Sequence, residues 1–96
     1  MYEIELSEEF SDWLDYLQDS KAQKIIIKRI RNISLGTFGD VRPLHGGLFE
    51  AKIHYGPGYR LYFVNRKQKI IIILCGGDKS SQKKDTKRAR ELMEEL

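Results

Sequence analysis

The run KIIIILC at 69–75 constrains this chain more than any other stretch. Consecutive isoleucines and a leucine leave no polar face, and β-branched residues fit an extended strand well. The run is far shorter than the roughly 20 apolar residues a helix needs to cross a bilayer. A strand with no polar face is buried on both sides, which makes it central in a sheet.

The neighbouring strands follow from alternation. Residues 48–55 set Phe49, Ala51, Ile53 and Tyr55 on one side, with Glu50, Lys52 and His54 on the other. GPGY then predicts a type II turn with Pro57 at i+1 and Gly58 at i+2, where φ must be positive. Residues 59–65 place Tyr59, Leu61 and Phe63 on one face and Arg60, Tyr62 and Val64 on the other. NRKQ is the next turn, and YEIEL at 2–6 alternates as a short first strand.

Helical spacing fills the rest. Ser7 is an N-cap for a helix over 8–19, whose apolar face is Phe10, Trp13, Leu14 and Leu17. A second helix follows at DSK, with Ala22, Ile26, Ile30 and Ile33 inward, Ile27 beside them, and Gly36 as its stop. The two form an antiparallel hairpin. Residues 36–47 show no periodicity and read as a loop, while 83–96 form a last helix with Ala89, Leu92, Met93 and Leu96 as its stripe. The fold class is therefore α+β. A single domain over 1–96 packs an N-terminal strand and helix hairpin on one face of a twisted, mainly antiparallel sheet, with a C-terminal helix.

This arrangement sets Arg60 and Tyr62 on the face away from the hairpin, together with Glu50, Lys52 and His54, and outside the core. The segment GGDKSSQ brings Lys79 beside them. Such a group can bind an anion. The same pattern also fits a solvated sheet face whose charges pair across strands, Glu50 with Arg60 for example. Charge leaves the choice open too. Residues 1–20 hold seven acids and no Lys or Arg, whereas all seventeen bases fall within 21–90 against four acids. That asymmetry suits a polyanionic partner, and equally suits lysine-rich helices that keep a protein in solution.

Several chemistries lack their residues. There is no G-x-x-x-x-G-K-[ST] loop and no G-x-G-x-x-G fingerprint. Two histidines and one cysteine do not make a zinc site of recognised spacing. Ser80, His54 and Asp85 could be nominated as a triad, but no nucleophile-elbow context supports them. Cys75, ending an apolar strand, reads as core. A lone cysteine and an acidic start without a leader pattern predict a reduced, cytoplasmic protein with no membrane contact.

GDVRPL, LFEAKIHYGPGYRLYF and LCGGDKSSQKKD carry a resemblance to the RelE/ParE toxin superfamily, in particular its HigB-like branch of phage-derived addiction-module killer proteins. The likeness covers nearly the whole chain. It implies a small α+β fold with its helices on one face of the sheet. It also implies the toxin of a type II toxin–antitoxin system, most plainly a ribosome-dependent mRNA endonuclease cutting A-site codons by metal-independent 2′-OH attack, with no cofactor. The ParE-like alternative is a non-enzymatic inhibitor of DNA gyrase. The resemblance assigns catalysis to Lys52, His54, Arg60 and Lys79, with His54 taking the 2′-OH proton. Arg42, Tyr62, Gln82 and Asp85 are expected to contact RNA, Arg42 through ribosomal RNA. At Asp85 a RelE-like enzyme carries a tyrosine, whereas HigB-like sequences are acidic there. The implied partners are the ribosome and mRNA, and a cognate HigA-like helix-turn-helix antitoxin through which alone operator DNA would be met.

Overall fold

The apolar run at 70–75 lies inside a five-stranded sheet, as its lack of a polar face requires. A computed structural model describes all residues, 1–96. The chain runs β1 (Glu3–Leu6), α1 (Glu8–Asp15), α2 (Ser20–Ser34), β2 (Val41–Pro43), β3 (Leu48–Ile53), β4 (Tyr59–Arg66), β5 (Ile70–Gly77) and α3 (Gln82–Glu94), with a 3₁₀ turn at Lys79–Ser81 before α3. The strand order is β1-β5-β4-β3-β2. β1 runs parallel to β5 and every other pairing is antiparallel.

Capping sets the helix starts. The Ser7 hydroxyl accepts the Phe10 N–H at 2.9 Å, and Asp19 accepts those of Lys21 and Ala22. α1 stops at Asp15, four residues short of the expected end, and Gln23 donates back to the Leu14 and Asp15 carbonyls. Phe10, Leu14, Ala22, Ile26 and Ile33 then pack on Ala51, Ile53, Tyr59, Leu61, Phe63, Ile71 and Ile73. Ile27 is exposed and Ile25 takes its place against this core.

α3 lies on the opposite side of the sheet. Ala89, with Leu92 and Met93 beside it, covers Leu48, Tyr62, Val64, Leu74 and Cys75. The expectation of helices on one face therefore needs correcting, because the sheet has apolar groups on both faces and each needs a cover. Arg88 ties the two sides together, donating from Nε and Nη2 to the Glu9 carboxylate of α1 at 2.8–3.1 Å.

A bulge in β5 makes this double cover fit. Tyr62 faces Cys75 but Phe63 faces Ile73, so Leu74 is an extra residue. Leu74 and Cys75 consequently both turn toward α3. Gly76 then meets Trp13 of α1, and Gly77 meets Asp85 of α3. A Cβ on Gly76 would stand 2.6 Å from the indole ring.

The loop 36–47 contains a strand that periodicity did not show. Val41–Pro43 pairs with Phe49–Ala51 as the sheet's outer edge, where a proline is tolerated. Arg29 of α2 fixes its approach by donating to the carbonyls of Phe38, Asp40 and Lys52 at 2.8–2.9 Å. The GPG turn closes one residue earlier than expected, from the Gly58 N–H to the Tyr55 carbonyl, with Gly56 and Gly58 both at positive φ.

The β4–β5 hairpin is less well served by its sequence. Lys67 (φ 56°) and Gln68 (φ 58°) are both left-handed, the I′ geometry that Asn-Gly adopts with least strain. A left-handed non-glycine residue costs about 1–2 kcal/mol. Lys67→Asn with Gln68→Gly should therefore raise the melting temperature by roughly 4–8 °C in thermal denaturation followed by circular dichroism.

Candidate active-site cleft

Register places the polar residues of three strands together. Arg42 pairs with Glu50 across β2–β3, and Lys52 pairs with Arg60 across β3–β4. Directly paired residues share a sheet face. With Asp40 from the loop and Gln82 from the first turn of α3, they line a cleft of about 370 Å³ that contains no hydrophobic residue.

Arg60 lies at its base and is only 4% exposed. The face expected for it is right, but its depth is not, since α3 and the β2–β3 edge rise around it. Its Nη1 donates to the Gly58 carbonyl at 2.7 Å. Nε is buried without a hydrogen bond, 3.9 Å from Glu50 Oε2. Nη2 has no protein acceptor either and, unlike Nε, is not fully buried, so it is the part left for a ligand. A nearly buried guanidinium with unmet donors is costly to desolvate, and an anion in the cleft would satisfy it.

Glu50 was placed on this face by alternation but was not among the expected catalytic or RNA-binding residues. It is 3% exposed. Its Oε1 accepts Arg42 Nε at 2.9 Å, and its Oε2 accepts Gln82 Nε2 at 3.0 Å. The expected cross-strand pair with Arg60 is the loosest of its contacts, because the short β2 brings in a closer arginine. Alternation within DVRPL was the available signal, hidden by the glycines around it.

Other expected site residues lie elsewhere. β3 ends at Ile53, so His54 leaves the cleft face; its Nε2 is 2.6 Å from Asp40 Oδ2, and the ring borders a groove along α2 with Lys21, Ile25 and Lys28. That contact holds the Asp40 carboxyl below the usual carboxylate range. Lys79 is exposed on the 3₁₀ turn, beside Gly58 and thus at the Arg60 end of the cleft without lining it. Asp85 accepts the Ser81 hydroxyl and packs on Gly77, outside the lining. The nominated triad is dispersed, for Ser80 donates to Asp78 while His54 and Asp85 have the partners just named. Burial pushes the Cys75 thiol up to about 12, which leaves it without thiolate at neutral pH.

Tyr62 requires the largest correction. Its ring is fully buried beneath α3, so it has no free face on which a base could stack. Burial raises its phenol to about 12, and its hydroxyl has no hydrogen-bond partner. An unpaired buried hydroxyl costs about 1–3 kcal/mol. Tyr62→Phe should therefore melt several degrees higher, and should retain whatever activity the cleft has.

The strand order, the helix pair beneath and the polar cleft above define a fold seen in RelE toxins. The chain superposes on the Escherichia coli toxin RelE in its free state, a double arginine-to-alanine variant, with a TM-score of 0.66, 14% identity, and 94% of this chain and 96% of that one covered. It matches a chain of the RelBE2 toxin–antitoxin complex of Mycobacterium tuberculosis equally well, at TM-score 0.66 and 18% identity over 81% of this chain and 98% of that one. For the intact E. coli RelBE complex the TM-score is 0.59 at 16% identity, covering 81% and 96%. The family model for phage-derived Gp49-like proteins matches residues 12–95, and the chain belongs to that family. An uncharacterized protein of Haemophilus influenzae is 44% identical over 87 residues, 91% of this chain and 88% of the relative. No helix is long and apolar enough to cross a membrane.

Proposed function

We propose that this protein is the toxin of a type II toxin–antitoxin system and cleaves mRNA in the ribosomal A site. The observation that carries the reading is the nearly buried Arg60, lining a wholly polar cleft with donors that no protein group meets. The RelE fold supports the class, and the toxin–antitoxin complexes among its structural relatives support a cognate antitoxin as partner.

The reaction has the ribose 2′-oxygen form a bond to the adjacent phosphorus while the bond to the 5′-oxygen breaks. It needs a proton acceptor at the 2′-OH, charge stabilisation on the phosphorane oxygens, and a proton for the leaving oxygen. Arg60 would grip the phosphate through Nη2, and Lys52, its cross-strand partner, would add charge from the same face. Lys79, beside Gly58, would serve the leaving group. His54 would serve as base only after turning from Asp40 toward the cleft. Arg42 and Gln82 would contact flanking phosphate or base from the rim.

The absence of an imidazole from the cleft favours a second reading, in which the same surface binds DNA gyrase and no bond is broken. One experiment separates them. Purified protein is added to a translation reaction, and mRNA ends are mapped by primer extension. Cuts within A-site codons are expected; intact mRNA with inhibited supercoiling by gyrase would replace the first reading with the second.

A further inference from the structure

Glu50 puts a carboxylate in the middle of a cleft otherwise suited to an anion, which calls for an explanation. It is not a free base. Both oxygens already accept hydrogen bonds, from Arg42 Nε and Gln82 Nε2, and Arg60 Nε lies 3.9 Å away. These groups come from three different elements, β2, the start of α3, and β4. A carboxylate that accepts on both oxygens fixes the position of the groups that donate to it.

We infer that Glu50 is the positioning residue of the cleft, holding the Arg60 guanidinium so that its Nη2 meets the phosphate. The inference rests on the RNA-cleavage reading above. Arg60 has two anchors in the protein. Gly58 O holds Nη1, and the Glu50 charge lies beside Nε without forming a hydrogen bond to it. At 3.9 Å the carboxylate is near enough to orient the positive group without a hydrogen bond to Nε, which leaves Nη2 for the phosphate. If Glu50 were neutral, Arg60 would keep only the Nη1 anchor and could swing about it. Arg42 and Gln82 would lose their charged acceptor in the same change. The role differs from that of a cross-strand ion pair, which would contribute to stability alone.

The test is a double-mutant cycle in single-turnover cleavage of A-site mRNA, with Glu50→Gln, Arg60→Ala and the double variant. Misplacing a catalytic group by about 1 Å can cost about 10²-fold. Glu50→Gln should thus lower the cleavage rate by roughly that factor, while the ribosome concentration for half-maximal rate moves less than about threefold. In the Arg60→Ala background the same change should cost less than about threefold, because the group it positions is gone. An equal loss in both backgrounds overturns the inference, as does a change in apparent affinity alone. A second readout does not depend on cleavage. In proton–nitrogen NMR spectra the buried Arg60 Nε–H should give a resolved, slowly exchanging signal that Glu50→Gln abolishes or broadens. Should the wild type leave mRNA uncut, the functional reading falls and this signal decides the matter: its loss supports the positioning role, and its persistence unchanged refutes it.

Discussion

Arg60→Ala is expected to reduce A-site cleavage by about 10²–10³-fold, the usual cost of removing one preorganised charge-stabilising donor. Most of the loss should appear in the rate of the bound complex, because Arg42, Lys52 and Lys79 still supply charge for binding. The substitution should not unfold the protein. Glu50 keeps its hydrogen bonds to Arg42 and Gln82, so removing Arg60 leaves no orphaned buried carboxylate. Arg60→Lys tests the geometry separately. It retains a charge but lacks the planar fork that spans two phosphate oxygens, so it should recover only a small part of the rate. Single-turnover primer extension measures both variants, and expression in cells without antitoxin gives an independent readout as restored growth. Cleavage by Arg60→Ala within a few-fold of wild type would remove this residue from the mechanism.

Gly76→Ala should destabilise the fold strongly through a single methyl placed away from the cleft. Its Cβ would stand 2.6 Å from two atoms of the Trp13 ring. The ring cannot yield easily, because it is packed between Phe10 and Tyr59 at centroid distances of 5.7 and 6.0 Å. Overpacking of this kind costs about 3 kcal/mol, and Tm should fall by roughly 12 °C or more. Replacing Trp13 with leucine in the same chain should lessen the further loss caused by the alanine. Thermal denaturation of the four proteins measures this, and an additive result would show that the indole is not the obstacle.

How far the sequence was legible depended on what each signal encodes. Alternation encodes face, and it placed Arg60, Glu50 and Lys52 together correctly. It does not encode depth, which α3 and β2 supply from distant positions, so Arg60 and Tyr62 were expected nearer to solvent than they are. Alternation also means nothing beyond a strand's end. His54 was assigned to the cleft because the strand was read to Tyr55, and it ends at Ile53. From Ile70 to Cys75 every residue is apolar, so the bulge at Leu74 left no mark on the pattern. Its consequence was visible only in the paired glycines that follow, whose missing side chains admit a helix on either face.

The parallel pairing of β1 with β5 has a consequence for biosynthesis. The β3–β4–β5 meander closes through short hairpins and needs only local search, but β1 must wait for β5, which is made after every other strand. α3, which walls the cleft, is made later still. A nascent copy therefore cannot complete its sheet before β5 has emerged. If the protein attacks ribosomes, the topology delays its competence until β5 and α3 have both been made.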